Sequence, residues 1–246
     1  MFASAATVDP QEIDRFAAQA NAWWDPEGSF RALHRLNPIR LGFIRQHLAA
    51  HFGRSVSSLR PFEGLTLLDI GCGGGLVAEP MSRLGFAVTG IDADLEAISA
   101  ARMHAEATGL AIDYRVATAE SIAATPQQFD ALLALEVIEH VADPYVFLRS
   151  VGSLVREGGA FIGATLNRTG RSFASAVIGA EYLLGWLSRG THDWRKFVRP
   201  SELVLGLRRN GLSPTELMGI SYNLIRAEWS LSQNLEINYM VVAARR

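Results

Sequence analysis

Cysteine is nearly missing from this sequence. Cys72 is the only one in 246 residues, which excludes an internal disulfide and fits a reducing compartment. Long apolar runs are missing too, and none reaches the length needed to span a bilayer. There is no excess of positive charge. Lys and Arg total 23 against 25 Asp and Glu, for a net charge of -2, so the basic field of a typical nucleic-acid binder is absent and no nucleic-acid partner is expected. Internal repeats and low-complexity tracts are likewise absent. The stretch Met1 to Asp14 holds no basic residue, unlike a signal peptide or an Arg-rich transit peptide, and a cytoplasmic protein is the expectation. What the chain has in quantity is apolar side chain, 49% of residues, enough for a large core. The length suits one domain carrying an N-terminal extension and an insertion.

Punctuation and periodicity divide the chain. Asp9-Pro10-Gln11-Glu12 predicts a helix start running to about Ala22, broken by Trp23-Trp24-Asp25-Pro26-Glu27-Gly28. A second helix is predicted over Asn37 to Phe52, with Leu41, Ile44 and Leu48 at helical spacing. These form an extension over residues 1–60, and a regular domain follows over 61–246. There the pattern alternates: strands at Leu65–Ile70, Phe86–Asp92, Ile112–Val116, Phe129–Glu136 and Ala160–Leu166, with helices at Leu76–Leu84, Leu95–Thr108 and Pro144–Val155. A helix at Pro200–Asn210 and strands at Leu217–Ser221 and Tyr239–Ala243 close it. Repeated strand–helix units imply an α/β fold, a doubly wound, mostly parallel sheet with helices on both faces. Residues 167–199 break the rhythm and read as a helical insertion. Phe173, Val177, Ile178, Tyr182, Leu183, Trp186 and Leu187 make an apolar stripe, flanked by Arg168, Arg171, Arg189, Arg195, Lys196 and Arg199.

Two segments carry chemistry. The first is Leu67-Leu68-Asp69-Ile70-Gly71-Cys72-Gly73-Gly74-Gly75, a strand running into a glycine-rich turn, where the backbone turns sharply and a ligand can approach it closely. A dinucleotide fingerprint would place a third glycine at position 76, which is Leu. Asp69, just before the loop, can accept a hydrogen bond from an amino acid ammonium, which points to the methionine moiety of S-adenosylmethionine. Asp92, about twenty residues after Gly71, ends the second strand, where a carboxylate takes ribose hydroxyls; the alternative is a helix N-cap. The second segment is Glu136-Val137-Ile138-Glu139-His140-Val141-Ala142-Asp143-Pro144, at the carboxyl end of the fourth strand, where open α/β sheets bind ligands. Glu136, Glu139 and His140 have i, i+3, i+4 spacing. One helical turn would bring them to one face, able to hold Mg2+ or another divalent cation that acidifies a phenol. Alternatively, Glu136 holds the amino acid part of the cofactor while Glu139 and His140 brace the loop. Asp143 reads as a helix cap.

With these residues in view, the chain resembles the ubiquinone-biosynthesis O-methyltransferase family. The resemblance rests on Trp23 to Gly28, Leu33-His34 through Asn37-Pro38 to Arg40, Asp69 to Gly75, and Thr165-Leu166-Asn167-Arg168. Gly179-Ala180-Glu181-Tyr182 and Gly190-Thr191-His192-Asp193 add to it inside the insertion. It implies methyl transfer from S-adenosylmethionine to phenolic hydroxyls of polyprenylated precursors, namely a polyprenyl hydroxyphenol or catechol and demethylubiquinol. It also implies that Arg40, Gly71, Asp92 and Leu135, with Asp69 and Gly73 beside them, line the cofactor site. Leu135 stands where some members carry Met. In the eukaryotic branch the counterparts of Glu136, Glu139 and His140 are thought to be metal ligands. His140, Glu139 and His192 are the candidates for handling the phenolic proton, and Trp23, Trp24 and Phe30 for closing over the site. A polyprenyl substrate further implies peripheral association with the inner membrane through residues 172–187 meeting anionic lipid, and association with other enzymes of ubiquinone biosynthesis. Rival readings are a class I methyltransferase acting on another small molecule, a nicotinamide-dependent dehydrogenase, and a non-catalytic subunit that keeps the fold.

Overall fold

The computed structural model describes residues 23–28, 30–173, 193–223 and 228–246. In chain order these form α1 (Arg31–His51), β1 (Thr66–Ile70), α2 (Ala78–Arg83), β2 (Ala87–Asp92), α3 (Leu95–Ala107), β3 (Asp113–Val116), α4 (Ala119–Ala123), β4 (Phe129–Leu135), α5 (Pro144–Leu154), β5 (Val155–Leu166), α6 (Pro200–Arg209), β6 (Leu212–Asn223), β7 (Glu228–Ser232) and β8 (Asn238–Arg245). The strands form one eight-stranded sheet in the order β3-β2-β1-β4-β5-β8-β6-β7. The five strands from β3 to β5 are parallel, and β8, β6 and β7 run antiparallel to their neighbours. The doubly wound expectation holds.

Alternation sorts the core. Successive side chains on a strand point to opposite faces, so Leu67, Leu133 and Ile162 join a cluster with Leu36, Phe43, Ile44 and Leu48 of α1. Leu68, Leu132 and Phe161 join Phe147, Leu148 and Val151 of α5 and Leu203 and Leu207 of α6 on the other side. Burial of each Leu is worth about 1.5–3 kcal/mol, so helices on both faces are bound to the sheet.

Several boundaries differ from expectation for identifiable reasons. α1 begins at Arg31, not Asn37, and carries Pro38 inside it. Proline cannot donate to the carbonyl four residues back, but the buried face of Leu36, Asn37, Arg40, Phe43, Ile44 and Leu48 outweighs that loss. β5 starts at Val155 because Gly158, at φ 75, keeps the chain alongside β4 through an irregular register. β6 extends back to Leu212 and absorbs Pro214, which lacks a donor, at a register shift between Pro214 and Glu216. The short helix α4, capped by Thr118, and the edge strand β7 were not expected. Asp143 is the cap expected of it: its Oδ1 accepts from Tyr145 N at 2.8 Å and Val146 N at 3.2 Å. The helix predicted before Trp23 and most of the insertion stripe lie outside the described residues.

Candidate active site

The strand order reverses between β1 and β4, which neighbour each other while their helices cross to opposite faces. In such sheets a crevice opens outside the carboxyl ends of those two strands. Both chemical segments lead into it: the glycine loop leaves β1, and Glu136 leaves β4.

The loop is tied to β2. Gly71 N and Cys72 N both donate to Ile91 O, at 2.8 and 3.0 Å. Gly71 has φ 68, and an added Cβ would fall 2.5 Å from Val137 Cγ2, so only glycine fits. Gly73 has φ 51, and its N–H donates to Asp92 Oδ2 at 2.9 Å. Asp92 Oδ1 accepts from Asp94 N at 3.0 Å. Each Asp92 oxygen therefore holds one backbone donor and keeps acceptor capacity for a further one. The N-cap of α3 is Asp94, which accepts from Glu96 N at 2.8 Å, so the helix-cap alternative for Asp92 is set aside. Burial raises the Asp92 pKa; the Asp94 and Gly73 N–H groups oppose that rise, and the Asp94 charge adds to it.

Asp69 is buried, and its Oδ2 has no hydrogen-bond partner among the described residues. Burial, then the charge of Asp92, pushes its carboxyl up to about 7, against the opposing Ala78 N–H. Arg40 projects from α1, is buried, and pairs through Nη2 with Glu136 Oε1. Its Nε is also buried with no partner among the described residues. An open buried acceptor on Asp69 and an open buried donor on Arg40 complement the ammonium and carboxylate of an amino acid. The residues therefore fit the methionine end of S-adenosylmethionine. Leu135, half-buried at the end of β4, packs on the α1 side of the core.

The expected metal triplet is corrected. Glu136 has φ 55, a left-handed backbone that no helical turn accommodates. Only a tight turn follows, closed by His140 N donating to Val137 O at 2.9 Å. The i, i+3, i+4 face therefore does not form. Glu136 pairs with Arg40 while its carboxyl also lies against that of Glu139, and Glu139, buried, accepts from Thr165 Oγ1 at 2.7 Å. Burial, then the Glu136 charge, holds Glu139 well above the usual carboxylate range. Among the described residues no three His, Cys, Asp or Glu side chains gather as cation ligands, and these three do not fit a divalent ion. His140 is half-buried at the crevice; His192 lies outside the described residues.

Trp23 covers the loop. An added Cβ would fall 2.4 Å from its ring at both Gly73 and Gly74, and the indole stacks on Phe30 with centroids 3.7 Å apart. Glu79 and His104, behind the loop, were not singled out from the sequence. The cue was faint: an acid four residues past Gly75 in a helix otherwise facing the core.

Residues 68–163 match a family described as "Methyltransferase domain". The chain is 53% identical to the ubiquinone biosynthesis O-methyltransferase of Paramagnetospirillum magneticum over 239 residues, covering 97% of this chain and 96% of that one. It is 53% identical to the protein of the same name from Parvibaculum lavamentivorans, covering 99% and 96%, and 50% identical to that of Dinoroseobacter shibae, covering 100% and 99%. Among solved structures, magnesium protoporphyrin IX methyltransferase from Synechocystis PCC 6803 with bound S-adenosylhomocysteine superimposes with TM-score 0.66 at 16% identity, covering 96% and 95%. That likeness concerns the fold.

Proposed function

From its place in the ubiquinone-biosynthesis O-methyltransferase family, to which this chain belongs, we propose that the protein methylates phenolic hydroxyls of polyprenylated ubiquinone precursors, a polyprenyl hydroxyphenol or catechol and demethylubiquinol. The observation that carries this reading is identity of about half over nearly the whole chain. The chain is an S-adenosylmethionine-dependent methyltransferase, so the dehydrogenase reading is set aside. A methyltransferase acting on another small molecule is the alternative that the assay below separates.

S-adenosylmethionine, when bound, supplies an electrophilic methyl on its sulfonium. In this reading Asp69 takes the ammonium, Arg40 the carboxylate, Asp92 the ribose hydroxyls and Leu135 the adenine face. Gly71 and Gly73 let the backbone approach. Fixing the donor against a phenolic oxygen in line can contribute about 7–11 kcal/mol. His140, at the crevice, is the first candidate to accept the phenolic proton and His192 the second. Glu139, buried and bonded to Thr165, serves the loop.

A polyprenyl tail partitions into lipid, so the enzyme meets its substrate at a membrane surface. Among the described residues no helix is long and apolar enough to cross a membrane. The stripe within 172–187 and its flanking arginines suit interfacial contact with anionic lipid, and Phe173 and Arg171, at its start, are exposed. Peripheral attachment to the inner membrane, and contact with other enzymes of ubiquinone biosynthesis, belong to the same reading. The test is methyl transfer from labelled cofactor to a catechol bearing a polyprenyl tail, in vesicles containing phosphatidylglycerol. Turnover of the tailed catechol and co-sedimentation with the vesicles at low salt are expected. Turnover only of untailed, soluble phenols would overturn the substrate, and failure to sediment would overturn the surface.

A further inference from the structure

Trp24 joins two parts of the molecule that the cofactor reading leaves separate. Its indole N–H donates to Gly74 O at 2.9 Å, and its ring stacks on the His104 imidazole with centroids 3.5 Å apart and planes 6° from parallel. His104 lies in the last turn of α3. Its Nδ1 is 2.6 Å from Glu79 Oε1, and the other Glu79 oxygen accepts from Arg83 Nη2 at 3.0 Å. Glu79, in the first turn of α2, is fully buried.

A buried carboxylate is expensive to desolvate and, even when paired, contributes little net stability over an apolar side chain of the same volume. Packing alone therefore does not account for Glu79. What the Glu79–His104 pair does is fix one flat imidazole face behind the glycine loop, and Trp24 lies on that face. The loop needs such a support. Gly73 and Gly74 offer no side chains, and the trough they leave is filled by Trp23. The backbone of Trp23 is pinned in turn by His34, whose Nε2 lies 2.8 Å from Trp23 O. Trp23 Nε1 is buried with no acceptor among the described residues, a donor left open at the loop that the cofactor would occupy.

We infer that Glu79 and His104 are positioning residues that act through Trp24 to hold the tryptophan roof on the glycine loop, and so set affinity for the cofactor. This rests on the reading that the loop binds S-adenosylmethionine. Neither residue belongs to the set that faces the cofactor or the phenol, so the chemical step should be insensitive to them once the cofactor is bound.

The test is calorimetric titration of the full chain with S-adenosylhomocysteine, alongside steady-state kinetics. His104→Leu removes both the polar face and its anchor. It should raise the Kd for S-adenosylhomocysteine and the KM for the methyl donor about tenfold, with kcat within about twofold, a loss the size of one or two hydrogen bonds. His104→Phe keeps a flat face without the anchor and should recover part of that loss. Trp24→Phe deletes one N–H donor and little volume. It should cost about three- to tenfold in Kd with the melting temperature nearly unchanged, and it stands as the test should His104→Leu fail to fold. Unchanged Kd in folded His104→Leu or Trp24→Phe overturns the inference. Tighter binding in either would make Trp23 a plug rather than a roof and overturn it equally. A wild-type chain that binds no S-adenosylhomocysteine would instead overturn the cofactor reading beneath it.

Discussion

Asp69 combines a costly position with an open acceptor, and Asp69→Asn separates the two. Its carboxyl is moved from 3.8 to about 7, first by burial and then by the charge of Asp92. A carboxyl whose folded pKa lies above its unfolded value binds more protons folded than unfolded. Its contribution is therefore neutral below the unfolded value, grows unfavourable between 3.8 and about 7, and is constant above that. At pH 8 the penalty is on the order of 4 kcal/mol. Asn removes it and keeps an oxygen for the Ala78 N–H, but it replaces Oδ2, which has no partner among the described residues, with an NH2 group left unpaired at about 1–3 kcal/mol. The variant without cofactor should gain about 1–3 kcal/mol at pH 8, and the advantage should shrink towards pH 5.5. The same change replaces an ammonium acceptor with a donor, so affinity for S-adenosylhomocysteine should drop by about ten- to a hundredfold. Wild-type binding should strengthen as pH rises towards 7 and release a proton, visible as a dependence of binding enthalpy on buffer. Urea unfolding at pH 5.5, 7 and 8 and calorimetry supply the numbers. A variant less stable than wild type by the same amount at every pH would refute the reasoning.

Arg40→Met leaves Glu136 beside the buried Glu139 without its partner. It should cost about 3 kcal/mol or more in urea unfolding and abolish measurable S-adenosylhomocysteine binding. Adding Glu136→Gln should restore part of the stability but none of the binding; recovery of both would place the cofactor carboxylate elsewhere. Asp143→Ala removes the cap that holds Tyr145 N and Val146 N and should cost about 1 kcal/mol of stability. Since that cap serves only α5, S-adenosylhomocysteine affinity should stay within about twofold, and a larger loss would tie the start of α5 to the site.

The strands were legible where apolar residues run together. Leu67-Leu68-Asp69-Ile70 and Leu132-Leu133-Ala134 of β4 are buried on both faces and show as such in one dimension. β7 was not legible because Glu-Trp-Ser-Leu-Ser lies at the edge of the sheet, where most side chains stay partly in water. α4 is too short to show a helical period, and Pro38 hid the first turns of α1. Around the glycine loop, Asp69, Gly71, Gly73 and Asp92 stand out because they close or follow two apolar strand runs, which pair side by side in the sheet. Spacing misled at Glu136 to His140, since a left-handed non-glycine residue leaves no mark in the sequence. The Glu79–His104 pair joins two helices across a strand, a contact that no local pattern encodes.

Strand β8, which follows β7 in the chain, does not lie at an edge. It is inserted between β5 and β6, pairing with β5 from Ala160↔Ala244 to Leu166↔Asn238 and with β6 from Leu212↔Arg245 to Ile220↔Asn238. During synthesis, then, β6 and β7 emerge as a hairpin with no seat on the parallel half of the sheet, and β5 waits with an open edge. Until residues 238–245 leave the ribosome, two sets of unpaired backbone groups face solvent and are prone to pairing with other chains. A nascent chain stalled before Asn238 therefore carries a finished crevice beside an unfinished sheet, and its vulnerability to chaperones and proteases is decided by residues 238–245.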